Sequence, residues 1–266
     1  MRTTIVIISF FFFLSSCSNK KEENQYIKIS TEKGDIIIKL YNQTPKHRDN
    51  IIRLANEKYY DGQIFHRIID NFVVQGGDPD TKNAKPDSLY GNGGPNYLID
   101  AEFVDTIIHK RGSIGMAREG DDINPEKKSA GSQFYLVKGK LYTNELLNEL
   151  EKKLELRKKS ALYNKIFKEK IAKLKDQKKI DTISISLDMS ITFDSIWEKQ
   201  PTFKFTEQQR KVYTTLGGIP SLDGNYTVFG EVIQGMDIVD AYSTVETDKN
   251  DRPLKDIKFS ISVYNK

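Results

Sequence analysis

Within fourteen residues, Phe65-His66-Arg67-Ile68-Ile69-Asp70-Asn71-Phe72-Val73-Val74-Gln75-Gly76-Gly77-Asp78 brings together a fixed cation, an aromatic ring, a neutral amide and a glycine pair. Alone, Arg67 reads as a surface ion-pair partner and Phe72 as core, but their spacing with Gln75 and Gly76-Gly77 points to a site. A guanidinium stays charged at any working pH and carries its donors in a rigid fork, so it suits holding developing charge rather than moving protons. Three further segments supply compatible types: Gly112-Ser113-Ile114-Gly115-Met116-Ala117-Arg118, Gly131-Ser132-Gln133-Phe134-Tyr135 and Leu222-Asp223-Gly224-Asn225-Tyr226-Thr227-Val228-Phe229-Gly230. Phe72, Met116, Tyr135 and Leu222 offer an apolar cup, with Gln75 and Gln133 as neutral hydrogen-bonding partners. Other chemistries lack their residues. A single Cys excludes a disulfide scaffold and a Cys-rich zinc module, and the three His (His47, His66, His109) are scattered, so no metal and no cofactor are expected. Gly91-Asn92-Gly93-Gly94-Pro95 lacks the Gly-Lys-Ser/Thr ending of a phosphate loop. Asp78-Pro79-Asp80 begins like a calcium loop but has no Gly at the sixth position and Leu89 at the twelfth.

The long pattern F-H-R-x-I-x-x-F-x-x-Q-G-G-D, followed in order by G-x-x-x-M-A, G-S-Q-F-Y and L-D-G-x-x-x-V-F-G, resembles the cyclophilins, a family of peptidyl-prolyl cis/trans isomerases. The resemblance implies a mainly β fold, a closed eight-stranded antiparallel barrel capped by two helices. It implies Arg67, Phe72 and Gln75 as catalytic residues. His66, Val73, Met116, Ala117, Arg118, Gln133, Tyr135, Leu222 and Tyr226 would bind substrate, Ala117 and Arg118 through its backbone. Tyr226 stands where the family often has His. The implied partners are proline-containing polypeptides. The chemistry is consistent with these residues. Amide resonance sets a rotation barrier of about 18–20 kcal/mol. In the twisted transition state the nitrogen becomes a better acceptor, so a fixed cation beside it lowers the barrier by differential binding. No general base is needed, which makes His66 a hydrogen-bonded structural residue in this reading. Ser221 lies where many eukaryotic members carry Trp before L-D-G, so weak cyclosporin binding is expected. The rival reading is a non-catalytic peptide-binding or chaperone module using the same pocket.

These residues need elements to hold them. Tyr26–Ile29 and Asp35–Leu40 flank the turn signal Glu32-Lys33-Gly34-Asp35 and predict a hairpin. Thr44 as N-cap and Pro45 at the first position open a helix running to Asn56. Short apolar runs then alternate with Gly-rich turns: 64–69, 72–74, 97–99, 113–117, 133–137, 227–232 and 257–263. Gly235–Tyr242 predicts a second short helix. Between 139 and 217 the character changes. Leu141–Lys179 has no Gly or Pro; Leu147, Leu150 and Leu154 share one helical face and Leu162, Ile166, Ile171 and Leu174 another, with a phase slip near Lys158-Lys159-Ser160. That predicts one long helix or two with a break. Thr182–Asp194 alternates apolar and polar residues and predicts a strand. Thr206-Glu207-Gln208-Gln209 is a capping box, and Gly217-Gly218 ends its helix. The 79 residues 139–217 therefore read as a charged, mostly helical insertion into an isomerase-like domain made of 26–138 and 218–266.

The 266-residue chain carries 41 Lys+Arg against 37 Asp+Glu, a net charge of +4. The insertion alone is +6 (17 basic, 11 acidic residues). Aromatics are sparse among its lysines, so nucleic-acid binding is not expected. At the N-terminus, Arg2 precedes the apolar run Ile5–Leu14, too short to span a bilayer and of signal-peptide length. Leu14-Ser15-Ser16-Cys17 resembles the bacterial lipobox. That resemblance implies cleavage after residue 16, acylation of the Cys17 thiol, and a tether over 17–25. The expectation is a monomer held by lipid in the bacterial envelope, on the periplasmic side of the outer membrane, because Lys20-Lys21-Glu22-Glu23 reads as a solvated linker rather than a surface-export address.

Overall fold

A computed structural model describes residues 23–174 and 182–266. The Cys17 segment lies outside the described residues. In chain order the elements are β1 (Gln25–Thr31), β2 (Gly34–Leu40), α1 (Pro45–Asn56), β3 (Gln63–Ile64), β4 (Arg67–Ile69), β5 (Val73–Gly76), β6 (Leu98–Ile99), β7 (Ser113–Met116), β8 (Ser129–Ala130), β9 (Phe134–Val137), α2 (Asn144–Leu174), α3 (Thr182–Trp197), α4 (Glu207–Thr215), β10 (Val228–Gln234), α5 (Met236–Ser243) and β11 (Lys258–Tyr264).

Nine strands form one antiparallel sheet in the order β3-β11-β1-β2-β10-β7-β9-β5-β4. Its two edge strands, β3 and β4, are separated in sequence by only Phe65 and His66. β3 pairs with β11 and β4 with β5, so the Gln63–Ile69 segment borders both ends of the sheet, and Phe65 N–H (to Ile257 C=O, 3.0 Å) and Ile68 N–H (to Asp251 C=O, 2.8 Å) bond the stretch leading into β11. Counted as one bent strand it gives the expected eight-stranded barrel, and closure removes both open edges. The core follows from strand alternation. Ile27 and Ile29, Ile36 and Ile38, Ile114 and Met116, Phe134 and Leu136 all enter one buried cluster with Phe65, Phe229 and Phe259. Full burial of each large apolar side chain stabilises the fold by about 1.5–3 kcal/mol.

Two helices cover the barrel as expected: α1 packs on β10 and β11, and α5 on β2, β4 and β5. The cap of α1 differs from expectation. Thr44 occupies the N-cap position, but its hydroxyl donates to Tyr41 C=O at 3.4 Å instead of accepting from the helix. The Glu102 carboxylate takes the cap role, accepting from Lys46 N–H (3.1 Å) and His47 N–H (3.0 Å). An anion there also complements the helix dipole.

Within residues 139–217, α2 is one unbroken helix of 31 residues, about 46 Å long at 1.5 Å per residue. The phase slip marks a change of partner, not a break. Leu147, Leu150 and Leu154 pack with Phe205 and with Tyr213 of α4. Leu162 and Ile166 pack with Met189, Phe193 and Trp197 of α3. The strand expected over Thr182–Asp194 is instead helix α3. Alternate positions on a helix fall into two opposed stripes at i, i+4 spacing. Met189 and Phe193 form the stripe buried on α2, whereas Leu187 and Ile191 form the other and are exposed. α4 carries the predicted capping box, with Thr206 Oγ1 accepting from Gln209 N–H. The two ends of the 139–217 stretch meet: Lys140 N–H bonds Gly218 C=O (3.2 Å) and Gly218 N–H bonds Lys140 C=O (3.0 Å).

Candidate active site

Register builds the site. Arg67 pairs with Gln75 across β4–β5, Gln75 with Tyr135 across β5–β9, and Tyr135 with Gly115 across β9–β7. These residues form one row across four strands, on the face opposite Val74, Phe134 and Leu136. Gly115 must lack a side chain, since a Cβ there would lie 2.5 Å from the Tyr135 phenol. Above this row lies an open pocket of about 420 Å³ lined by His66, Arg67, Phe72, Val73, Gln75, Ala117, Arg118, Tyr135, Leu222 and Tyr226, together with Tyr90, Gly91 and Asn92.

The polar groups are linked in series. Arg67 Nη1 donates to Gln75 Oε1 (3.3 Å), Gln75 Nε2 donates to Gln133 Oε1 (3.4 Å), and Gln133 Nε2 donates to Gly91 C=O (2.9 Å) and Gly93 C=O (2.7 Å). Arg67 also lies 6.0 Å from the Phe72 ring centre, and its Nε is 3.5 Å from Asp251 Oδ2. Asp251, 184 positions away in sequence, was invisible to motif reading. So was the turn Asp248–Arg252 that presents it, in which Asp248 accepts from Asn250 and Arg252 N–H. The apolar part rests on Val73, Tyr135, Val137 and Ile219, with Phe72, Ala117, Leu222 and Tyr226 against them.

Met116 and His66 depart from expectation, while Ala117 and Arg118 line the pocket. Met116 does not line the pocket; it shares the inward parity of Ile114 on β7 and is fully buried in the barrel core. Arg118 reaches the pocket rim, but its guanidinium is already committed. It donates to Asn225 C=O and Glu119 C=O (2.7 Å each), pairs with Asp121 (2.7 Å) and stacks 4.6 Å from the Tyr226 ring centre. Ala117 likewise spends its N–H on Gln133 C=O and its C=O on Ala130 N–H. His66 is not hydrogen-bonded: among the described residues neither ring nitrogen has a partner, although the residue is buried. Burial drives its pKa down to about 4, with nearby Arg67 adding to the depression and Asp78 opposing it, so it is neutral at pH 7. A buried neutral imidazole on a pocket wall keeps a donor and an acceptor for whatever enters.

Gln133 lines an adjoining groove with Gly91–Leu98 and touches the pocket through Gln75. No described group of three or more His, Cys, Asp or Glu is placed to hold a metal. The arrangement supplies a fixed cation and neutral amides at the mouth of an apolar cup. It suits holding a small ring and its flanking amides while stabilising a change in the lone pair of one nitrogen.

Comparison with known proteins gives the same direction. The family model described as "Cyclophilin type peptidyl-prolyl cis-trans isomerase/CLD" matches residues 26–175 and 206–263. A Staphylococcus aureus (strain USA300) protein provisionally named peptidyl-prolyl cis-trans isomerase is 27% identical over 232 residues, 87% of each chain. A similarly named Staphylococcus haemolyticus (strain JCSC1435) protein is 27% identical over 242 residues, covering 90% of this chain and 91% of its own. Among solved structures, a Cryptosporidium parvum cyclophilin-type isomerase aligns with a TM-score of 0.55 and 20% identity, covering 92% of this chain and 99% of its own. A second structure of that protein, in the presence of the dipeptide Ala-Pro, gives a TM-score of 0.54 at 20% identity, covering 91% of this chain and 100% of its own.

Proposed function

This chain belongs to the cyclophilin-type peptidyl-prolyl cis-trans isomerase family, and on that premise we propose that the pocket around Arg67 accelerates X–Pro isomerisation in proteins of a bacterial envelope. Uncatalysed X–Pro isomerisation takes tens to hundreds of seconds, slow enough to limit folding. In this reading the proline ring sits against Phe72, Val73, Tyr135 and Leu222. The Arg67 guanidinium, steadied by Gln75 on one side and Asp251 on the other, faces the proline nitrogen. As the amide twists, its nitrogen gains lone-pair character, and the Arg67 donors bind that state better than the planar one. Gln75 sets the direction of the guanidinium fork. The partnerless nitrogens of His66 offer a donor or acceptor to a flanking peptide group. No proton transfer or covalent bond is required.

The observation that carries this reading is the cross-strand row that aligns Arg67, Gln75 and Tyr135 beside one apolar cup. An isomerase assay on a short Ala-Pro-containing peptide tests it. Arg67→Ala is expected to lower kcat/KM by about 10²–10³-fold, the scale of a lost preorganised donor. Equal rates for the two proteins would sink the assignment.

The anchoring proposal rests on Leu14-Ser15-Ser16-Cys17. No described helix is long and apolar enough to cross a membrane. Lipid on Cys17, with the tether ending at β1, would hold the barrel in the periplasm beside clients as they fold. Labelled palmitate is expected to enter the wild type and not Cys17→Ser; labelling of both would refute it.

A further inference from the structure

A chain of four polar side chains, three of them buried, runs from α4 to the pocket. Tyr213 of α4 donates its hydroxyl proton to Asp223 Oδ2 at 2.5 Å. Asp223 Oδ1 accepts from His109 N–H (2.8 Å) and lies 2.9 Å from His109 Nδ1. His109 Nε2 lies 2.9 Å from the Tyr135 hydroxyl, and the two rings stack at 6.0 Å. His109, Tyr135 and Tyr213 are all buried. For a neutral imidazole, proton inventory leaves one arrangement that satisfies every group. A carboxylate only accepts, so Nδ1 carries the imidazole proton; Nε2 must then accept, and Tyr135 must donate to it. The Tyr135 hydroxyl is thereby turned to His109, and the pocket meets the carbon face of its ring. Asp223 follows Leu222, another pocket wall, so the same chain fixes two sides of the cup.

We propose that Tyr213 is a positioning residue of the isomerase pocket, holding Tyr135 through Asp223 and His109 so that α4 is part of the pocket's support. The inference rests on the isomerase reading above. Its consequence is that a residue of α4, which does not itself line the pocket, sets affinity for the proline ring. Tyr135 meets the planar and the twisted substrate alike, so the effect belongs in KM rather than kcat.

Tyr213→Phe keeps a ring against Phe205 and Tyr142 and deletes one hydrogen bond. In assays across peptide concentration it is expected to raise KM about fivefold, with kcat within about twofold. Tyr135→Phe cuts the same chain at its other end, so the double variant is expected to be no worse than the worse single one. Nitrogen-15 spectra of the His109 ring give a readout independent of turnover. The wild type is expected as the Nδ1–H tautomer. Asp223→Ala, which removes the acceptor facing Nδ1, is expected to move it toward Nε2–H, with Tyr135 accepting. An unchanged KM in Tyr213→Phe overturns the proposal, even if its unfolding temperature falls. Additive effects in the double variant, or a His109 tautomer indifferent to Asp223→Ala, do the same. Should the wild type show no turnover, the dissociation constant for the same peptide by NMR titration replaces KM, which separates failure of the isomerase reading from failure of this one.

Discussion

Arg67 is held by two partners of different kinds, a neutral amide at 3.3 Å and a half-exposed carboxylate at 3.5 Å. The exposed ion pair orients more than it stabilises. Asp251→Asn is therefore expected to lower kcat/KM severalfold with little change in unfolding temperature; a loss as large as that of Arg67→Ala would mean Asp251 does more than steady the fork. His66 gives a second residue-scale prediction. Its folded value of about 4 lies below an unfolded value near 6.5, so the unfolded chain binds the extra proton between those limits. Stability from this residue is complete above about pH 6.5 and is lost as pH falls toward 4, by up to about 3 kcal/mol. Denaturant unfolding of wild type and His66→Gln over that range should show a steeper acid loss for the wild type; parallel curves would contradict it. Arg67, Phe72 and Gln75 were legible because their motif is contiguous and one hairpin brings them together. Asp251 and the Tyr213–Asp223–His109 chain were not, since those contacts join segments brought together only by the closed barrel. The placing of Met116 went astray although strand parity was readable: Gly115, not Met116, stands in the row with Tyr135.

At the scale of elements, both hairpin β1–β2 and helices α1 and α5 followed from local signals. α3 did not, because an alternating apolar pattern satisfies a strand and also a helix with two i, i+4 stripes; only the partner stripe on α2 decides between them. The two stripes should respond differently to mutation. Met189→Ala or Phe193→Ala is expected to destabilise α3 by about 2–4 kcal/mol, whereas Leu187→Ser, on the exposed stripe, should stay within about 0.5 kcal/mol. Trp197, the sole Trp, stacks on Phe193 at 5.9 Å, so its fluorescence reports this packing directly. Equal effects at both stripes would count against the described packing. Glu151 has a comparable role nearer the barrel. Its buried carboxylate accepts from Lys204 Nζ (2.8 Å), Arg210 Nη2 (2.6 Å) and Phe205 N–H (2.9 Å), joining α2 to α4 and to the segment before it. Those donors hold its pKa down against the opposing effect of burial.

For the molecule as a whole, the 139–217 stretch leaves and returns through one point, where Lys140 and Gly218 bond to each other. A chain lacking 141–216 with a short Gly linker is therefore expected to fold to an intact barrel with a cooperative thermal transition, while losing Tyr213 and with it peptide affinity. Failure to fold would show that the insertion's contacts with Ile108 are needed by the barrel itself. The eight-stranded barrel could be anticipated from the motif resemblance and from many short strands between turns. The segment that closes it could not be read in advance, because Gln63–Ile69 pairs with β11 through β3 and with β5 through β4. That segment also carries His66 and Arg67. The Arg67 guanidinium thus rides on the seam of the barrel, and the two are expected to open together. Deuterium uptake at Ile68 N–H, which bonds Asp251 C=O across the seam, should then rise in step with loss of turnover as denaturant is added. Enzymatic rate becomes a gauge of how often the barrel stands open, well below the concentration at which it unfolds.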